Sequence, residues 1–201
     1  MKKSEVFEGL GVVLLAAGGS SRLGQPKQLV PIEGEALVRR TARRLLSLKP
    51  ASLIVVSGCE SAAVDVQLSD LPLQVVYNPD WQKGIGTSIA FGVQHLPKEV
   101  KGVLIMLCDQ WGVNKEDLKH LFEVWATDIS VVVTASWKDK NSNVFGPPAI
   151  FPGTLIHELV DLTADQGAKR IIEKYRSNST FISMENASMD LDEPGDLQLI
   201  D

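Results

Sequence analysis

The sequence predicts an α/β fold in which helices cover both faces of a mostly parallel sheet. Strand-like apolar runs alternate with helix-like stretches along most of the chain, and residues 11–17 have the length and branching of a buried strand. Such alternation is typical of a three-layer, Rossmann-like architecture. With 201 residues, we expect a single domain over residues 1–201, of which residues 1–9 form a frayed leader.

The predicted elements follow one another in β-α-β-α order. The strands are residues 12–16, 53–56, 73–76, 103–107 and 129–134. The helices are residues 35–48, 62–68, 87–96, 115–125, 154–162 and 166–175. Because ligands of such sheets bind at the carboxyl ends of the strands, we expect the loops beginning at Ala17, Tyr77 and Cys108 to line one crevice.

The last third of the chain departs from this rhythm. Residues 137–144 are polar and predict a hairpin or small β flap, and the Gly-Pro-Pro step at 146–148 indicates a fixed turn before a short strand. Asp190 and Asp192 would share one face of an extended segment, and Pro194 is placed to open a terminal helix.

The composition excludes several classes of protein. A formal net charge of −5 argues against broad nucleic-acid binding, which needs a basic face. Two cysteines and three widely separated histidines predict neither a disulfide framework nor a zinc site. No apolar stretch has the length of a membrane span, and the N-terminus lacks the apolar core of a secretory signal. We therefore expect a cytoplasmic protein without membrane contact.

The segment from Leu15 to Lys27, L-A-A-G-G-S-S-R-L-G-Q-P-K, has the composition of a phosphate-binding loop. Small residues let successive N–H groups point into one concavity, and Arg22 and Lys27 supply positive charge. The spacing is neither that of a Walker A loop nor that of a dinucleotide fingerprint. On these residues alone, a plain glycine-rich turn is an equally good interpretation.

Carboxylates follow the predicted strand at 103–107 and recur near the C-terminus. Asp109 stands where the strand ends, so it either caps the next element or binds magnesium, and taken alone it favours capping. Asp190 or Asp192 could complete a magnesium site if the C-terminal segment returns to the crevice. Asp192, nearer the turn, is the stronger of the two.

Residues 77–88 end one strand and open a helix, so free N–H groups face the same crevice. The segment is either a long connection or a nucleoside and phosphate contact. Residues 86–90 lack the closing glycine of a nucleophile elbow, which disfavours a hydrolase. Cys108 has the pattern of a small core residue rather than a reactive thiol.

Six ordered motifs resemble the MobA-like nucleotidyltransferases, and among them most closely the MocA branch, the molybdenum cofactor cytidylyltransferases. The family's L-A-A-G-x-S-x-R-x-G-x-P-K loop is matched at every fixed position, and N-x-x-W-x-x-G-x-G-x-S is matched at residues 78–88. D-Q-P corresponds to residues 109–111, G-x-P-A-x-F to 146–151, G-D-x-G-A-R to 164–169 and D-x-D-x-P-x-D to 190–196. The resemblance covers residues 12–197.

Two departures from the family pattern bear on the acceptor. Trp111 stands where the family has proline, which can alter the loop after the metal aspartate. Ala164 and Lys169 replace glycine and arginine, and lysine keeps the charge but lacks the planar fork that binds phosphate bidentately.

The resemblance implies Mg-dependent transfer of CMP from CTP to the terminal phosphate of a molybdopterin-type cofactor, with release of pyrophosphate; manganese could replace magnesium. The implied catalytic residues are Arg22, Lys27 and Asp109, and the implied metal ligands are Asp109 and Asp192, with Asp190 as a substitute. The implied nucleotide contacts are Leu15, Ala16, Ala17, Gly18, Gly19, Ser20, Arg22, Lys27, Asn78, Gly84 and Ser88. The implied acceptor contacts are Gln110, Pro148, Asp165, Gly167 and Lys169.

Other functions are compatible with the same motifs. The Ala16-Ala17 pair inclines the prediction to cytosine over guanine, but a transferase of this fold could use GTP or act on a sugar or alcohol phosphate. A second alternative is a nucleotide- or cofactor-binding maturation factor for a molybdenum hydroxylase, without turnover. Retention of Lys27, Asp109 and Asp192 together favours an active enzyme, whose product would pass to such a hydroxylase.

Overall fold

The computed structural model describes residues 9–20, 22–139 and 142–200. The predicted leader, apart from Gly9, lies outside these ranges. Nine strands are described: β1 (Leu10–Ala16), β2 (Pro31–Ile32), β3 (Glu35–Ala36), β4 (Ser52–Ser57), β5 (Gln74–Tyr77), β6 (Gly102–Leu107), β7 (Val132–Asp139), β8 (Ser142–Pro152) and β9 (Ser179–Ser183). Seven of them form one sheet in the order β5-β4-β1-β6-β8-β7-β9, and β2 and β3 form a separate small ribbon.

The α-helices are α1 (Leu37–Leu46), α2 (Ser61–Leu68), α3 (Ile85–Gln94), α4 (Lys115–Trp125), α5 (Ile156–Val160) and α6 (Lys169–Lys174). Helix α4 has its predicted bounds because a reciprocal capping box between Asn114 and Asp117 fixes its start. Pro194 opens a terminal helix as predicted, of 3-10 type over Pro194–Leu199. Among the helices of the described ranges, none has the length and apolar character needed to cross a membrane.

Strand directions in the large sheet bring the functional loops to one edge. Strands β5, β4, β1 and β6 are parallel, β8 runs antiparallel to both β6 and β7, and β9 is parallel to β7. The carboxyl ends of six strands and the amino end of β8 therefore meet at the same side, which we call the carboxyl edge. The predicted mostly parallel sheet is confirmed, whereas β9 was not predicted.

Apolar side chains cover both faces of this sheet. Val12 and Leu14 of β1 belong to one buried cluster with α1, α2 and α4. Val13 and Leu15 belong to a second cluster with α3, α5 and α6, on what we call the α3 face. Because successive strand residues point to opposite faces, a fully apolar β1 must be covered on both sides. The predicted three-layer arrangement is confirmed.

The Gly-Pro-Pro step does not form the predicted turn. Residues 146–148 lie inside β8, which pairs with β7 over most of its length. The register shifts between Thr134, opposite Ala149, and Ala135, opposite Gly146, so Pro147 and Pro148 fall in a bulge. Proline has no N–H for the ladder, and a bulge is the place in a strand that tolerates this loss. The predicted hairpin is present as β7–β8, with residues 140–141 outside the described ranges.

Candidate active site

A cavity of about 220 Å³ opens at the carboxyl edge where the three predicted loops converge, as the sequence indicated. It is lined by Leu15, Ala16, Ala17, Gly18, Lys27, Gln28, Trp81, Ile85, Ser88, Leu107, Cys108 and Asp109. We call it the inner cavity. An adjoining outer cavity of about 180 Å³ is lined by Gly18, Ser20, Arg22, Leu23, Lys27, Leu191 and Asp192. Gly18 and Lys27 belong to both, so Lys27 lies where the two cavities meet.

Lys27 lies between two carboxylates. Its Nζ is 2.5 Å from Asp109 Oδ2 and 3.1 Å from Asp192 Oδ1, and Arg22 Nη1 is 3.8 Å from Asp192 Oδ2. Burial alone would lower the pKa of Lys27, but the charge of Asp109 and hydrogen bonds to Asp109 and Asp192 outweigh it and raise the pKa. Lys27 therefore remains a cation throughout the neutral range.

The C-terminal segment returns to the crevice, which the sequence left open. Leu191 N–H donates to the Asp109 carbonyl at 3.1 Å, and Gly112 N–H donates to the Met189 carbonyl at 3.4 Å. A Cβ on Gly112 would stand 2.6 Å from Met189 Cβ, so only glycine permits this approach. Backbone contacts, rather than the acidic side chains themselves, thus place Asp192 beside Asp109.

The acidic side chains of this region differ in their surroundings. Asp196 Oδ2 accepts the backbone N–H of Asp192 at 2.9 Å, which fixes the direction of that residue. Asp190 has its pKa raised by burial of the carboxyl and then by the charges of Asp109 and Asp192. Asp109 Oδ1 is buried and has no hydrogen-bond partner among the described residues.

These carboxylates fit a divalent cation that is held partly by its substrate. Within the described ranges, no group of three His, Cys, Asp or Glu side chains is arranged to hold a metal alone. Magnesium needs only one or two protein carboxylates when phosphate oxygens and waters complete its octahedron. Asp109, with its unpartnered oxygen, and Asp192 could supply these two ligands.

Gln28, which the sequence analysis missed, fixes the path of the phosphate loop. Its buried side-chain amide donates to the carbonyls of Ala16 at 3.0 Å and Gly18 at 2.6 Å. Ser20 Oγ accepts the Lys27 backbone N–H at 3.0 Å and closes the loop from the other side. A glutamine next to the motif lysine carries no local signal of this role, because its partners lie ten and twelve residues away.

Asn78 supports the inner cavity through hydrogen bonds to neighbouring residues. Its buried Nδ2 donates to Thr87 Oγ1 at 3.1 Å and to Ser88 Oγ at 3.0 Å, and its Oδ1 accepts the Asp80 N–H at 2.9 Å. The amide is thereby occupied within the protein, so Asn78 positions Ser88, which lines the inner cavity. The direct nucleotide contact that the resemblance implied for Asn78 stays a prediction.

Gly84 joins the loop before α3 to the segment at residues 163–166. Its φ is +121°, and a Cβ there would lie 2.4 Å from the Ala164 carbonyl carbon. Gly86 N–H donates to the Ala164 carbonyl at 2.8 Å. Both the backbone conformation and the close approach require glycine at position 84.

Trp81 packs behind the phosphate loop. A Cβ on Gly19 would lie 3.3 Å from its ring, and a Cβ on Gly58 would lie 2.8 Å from its Cγ and 2.5 Å from the Ala17 carbonyl oxygen. Gly58 was not predicted as a site residue, although a glycine directly after β4 at the carboxyl edge is a usable signal. Burial raises the pKa of the Cys108 thiol, which supports its interpretation as a core residue rather than a nucleophile.

The residues implied for the acceptor do not form one group. Gln110 is buried and donates to the Pro147 carbonyl at 2.7 Å and to the Ala187 carbonyl at 3.0 Å, so it braces β8. Pro148 is buried in β8 itself. The other three residues lie on the α3 face. Asp165 is beside Gly84, and Gly167 is beside Ile85. Lys169 Nζ is 5.1 Å from the centre of the Phe145 ring.

Trp111 makes a contact that the family's proline could not. Its backbone N–H donates to the Asp109 carbonyl at 2.8 Å, and its own carbonyl accepts from Arg44 Nη1 at 3.1 Å. The side chain packs partly buried against the cluster that contains α1. The backbone N–H that a proline would lack therefore closes the turn after Asp109.

Comparisons with known proteins agree with this geometry. Residues 12–179 match the family model described as the MobA-like NTP transferase domain. Nicotine blue oxidoreductase of Paenarthrobacter nicotinovorans is 35% identical over 105 residues, 51% of this chain and only 50% of that protein. Purine catabolism protein PucB of Bacillus subtilis is 26% identical over 189 residues, 90% of this chain and 89% of that protein.

Solved structures show the same fold. Rv0371c of Mycobacterium tuberculosis H37Rv superimposes with a TM-score of 0.83 at 24% identity and covers 96% of both chains. Its manganese complex gives 0.78 at 22% identity, covering 96% of this chain and 97% of that one. A nucleotidyl transferase from Methanothermobacter thermautotroptrophicus gives 0.78 at 22% identity, covering 95% of both. Together with the family match over residues 12–179, these findings show that the chain belongs to the MobA-like NTP transferase family.

Proposed function

We propose that this chain transfers CMP from CTP to the terminal phosphate of a molybdopterin-type cofactor, as a cytidylyltransferase of the MocA branch. Residues 1–201 would act as a single nucleotidyltransferase domain in the cytoplasm, and the product would pass to a molybdenum hydroxylase. The observation that supports the proposal most is the position of Lys27 between Asp109 and Asp192, at the junction of two cavities.

We expect the two cavities to bind different parts of the nucleotide. The nucleoside would occupy the inner cavity, whose lining is mostly apolar with Ser88 as a polar contact, and the triphosphate would extend past Gly18 into the outer cavity. Ser20 and Arg22 line that second space. The small Ala16-Ala17 step beside the nucleoside is the basis for proposing cytosine.

The chemistry requires charge neutralisation more than proton transfer. An oxygen of the acceptor phosphate attacks the α-phosphorus, a new P–O bond forms, and the bond to the bridging oxygen breaks with its electron pair leaving on pyrophosphate. The attacking phosphate is already ionised near neutral pH, so positioning and electrostatics dominate. Lys27 and Arg22 would stabilise the charge that develops on pyrophosphate.

Asp109 and Asp192 would hold the metal. A bound magnesium or manganese would supply positive charge at the α-phosphate. The buried, unpartnered Oδ1 of Asp109 supports this assignment. The fold neighbour solved with manganese is consistent with metal binding in this architecture.

A single assay separates the proposal from its alternatives. The protein is incubated with each of the four NTPs, magnesium and molybdenum cofactor, and pyrophosphate and the nucleotide-linked product are measured. We expect product with CTP and none in excess chelator. Product only with GTP, or only from a sugar or alcohol phosphate, would replace the proposal with another transferase of this fold, and nucleotide binding without pyrophosphate release would favour the maturation factor.

A further inference from the structure

The inner cavity is lined by two buried side chains whose hydrogen-bonding capacity is not used up within the described residues. Gln28 Nε2 donates to the carbonyls of Ala16 and Gly18, but Gln28 Oε1 is buried without a partner. Ser88 Oγ accepts from Asn78 Nδ2 and donates to no residue of the described ranges. Because buried polar atoms are nearly always paired in native structures, we expect a bound ligand to satisfy this acceptor and this donor.

Asn78 determines how the Ser88 hydroxyl is used. The Asp80 backbone N–H can only donate, and Asn78 Oδ1 accepts it at 2.9 Å, so Asn78 Nδ2 must face the two hydroxyls. Thr87 Oγ1 directs its own proton to the carbonyls of Gly84 at 2.8 Å and Asp80 at 3.0 Å. Ser88 Oγ receives a proton from Asn78 at 3.0 Å, which leaves the Ser88 proton free for the cavity. Ser88 is therefore fixed as a donor.

The polarity of this pair matches cytosine and opposes uracil. Cytosine carries an amine donor at C4 next to an acceptor at N3. Uracil has the same size, but it carries a carbonyl oxygen at C4 and an N–H at N3, so both polarities are reversed. With C4 at Gln28 and N3 at Ser88, cytosine would make two hydrogen bonds, whereas uracil would set acceptor against acceptor and donor against donor. Buried polar groups discriminate strongly because the wrong ligand leaves them unpaired.

We infer that Asn78 is a positioning residue that selects cytosine over uracil by fixing the Ser88 hydroxyl as a donor, while Gln28 Oε1 accepts the cytosine amine. The inference rests on the proposed function for the presence of a pyrimidine nucleotide in the inner cavity. The small Ala16-Ala17 step limits the size of the base, but size does not distinguish two pyrimidines. The hydrogen-bond pair supplies that distinction.

Reversing the polarity of Asn78 tests the inference without turnover. Dissociation constants for CTP and UTP are measured by titration calorimetry with magnesium and no acceptor. We expect the unaltered protein to bind CTP at least about tenfold more tightly than UTP. In Asn78→Asp, the carboxylate still accepts the Asp80 N–H but also takes the Ser88 proton, so Ser88 Oγ presents only lone pairs to the base. This variant should lower the preference for CTP at least about tenfold. The added charge acts equally on both triphosphates and cancels in the ratio.

Two comparisons separate this role from a structural one. Thr87→Val removes the other hydroxyl partner of Asn78, which lies outside the lining of the inner cavity, and it should leave the ratio unchanged. In a Ser88→Ala background, Asn78→Asp should no longer change the ratio, because its effect acts through the Ser88 hydroxyl. An unchanged ratio in Asn78→Asp alone, or an equal change with and without that hydroxyl, would overturn the inference.

Gln28 provides an independent test should Asn78→Asp fail to fold. Gln28→Met keeps the length of the side chain but removes the acceptor, and it should also lower the preference for CTP about tenfold. Gln110→Met is the matched control. Gln110 is likewise buried, donates to two carbonyls and has an unpartnered Oε1, but it lies outside the lining of the inner cavity. The same ratio in both glutamine variants would contradict the role of Gln28 and overturn the inference.

The proposed function can fail separately from the inference. If the unaltered protein prefers CTP to UTP but transfers no CMP to molybdenum cofactor, the proposed function fails, and the binding ratios of the variants still decide the inference. Equal binding of CTP and UTP by the unaltered protein would overturn the inference, and the pyrophosphate assay would still decide whether CMP is transferred.

Discussion

The cations at the two ends of the carboxyl edge have different partners. At the parallel end, the Lys27 side chain is 18% exposed and lies between Asp109 and Asp192. At the antiparallel end, Arg176 is exposed and lies against the rings of Phe145 and Phe181. A cation beside carboxylates suits a ligand that brings its own metal, whereas cations on aromatic rings suit an anion without one. The two ends therefore differ in how their cations are compensated.

The largest effect is expected from removing Lys27, the cation that pairs with Asp109 and Asp192. Lys27→Ala should lower turnover at least ~100-fold, because it removes charge stabilisation where the leaving group forms and leaves Asp109 unpaired. Steady-state kinetics on a variant with an unchanged circular-dichroism spectrum check this. Lys119→Ala, an exposed lysine on α4, is the control. Turnover like that of the unaltered protein in the Lys27 variant would contradict the role assigned to it.

The two carboxylates should not be equivalent. The Asp109 side chain is 16% exposed and that of Asp192 is 41% exposed, so Asp109 acts in the less screened environment. Asp109→Asn should reduce turnover about 100-fold and Asp192→Asn about tenfold, both with a higher magnesium requirement. Magnesium titrations of both variants make the measurement. Equal losses, or a larger loss for Asp192→Asn, would reverse the assignment of the principal ligand.

The close approach of the loop before α3 to residues 163–166 depends on Gly84. Gly84→Ala should destabilise the fold by about 1–3 kcal/mol, because alanine is strained at a φ of +121° and its Cβ would collide with the Ala164 carbonyl. Gly195→Ala is the control, since a Cβ there meets nothing within 4 Å. Urea unfolding of both variants is the test. Equal stability of the two would show that the loop accommodates a side chain.

An exposed ion pair outside both cavities should have the smallest effect. Two hydrogen-bonded contacts from Arg39, at 2.6 and 2.8 Å, lower the pKa of Asp70 to about 2. The contribution of this ion pair to stability is fully present when the pH is above 3.8, the ordinary pKa of the carboxyl. It is lost as the pH falls through about 2. Asp70→Asn should therefore lower Tm slightly at neutral pH, and the difference should shrink as the pH falls towards 2. A difference that persists unchanged in acid would show that charge is not its cause.

The parallel end was predictable because its signals are local. Each of the functional loops directly follows an apolar run, and parallel strands bring their carboxyl ends together. The phosphate loop, Asp109 and Ser88 are therefore placed by the sequence pattern and the topology. The roles of Gln28 and Asn78 were not predictable, because they depend on hydrogen bonds that only the folded loops define.

The antiparallel end could not be predicted in the same way. Phe145 is distant along the chain from Arg176 and Phe181, and it meets them only because β9 pairs with β7 and β8 carries a bulge. A polar hairpin was predicted there, but the continuation of β8 past the two unpaired prolines was not. Long-range pairing of short strands leaves little trace in a single sequence.

The most direct test of the account follows a label through the reaction. The protein is given CTP labelled with radioactive phosphorus at the α position, together with magnesium and molybdenum cofactor, and the products are separated. The account predicts that the label moves to the cofactor as a phosphoanhydride-linked CMP while pyrophosphate stays unlabelled. Recovery of the label only as free CMP, or as unconverted CTP, would contradict nucleotidyl transfer to this acceptor.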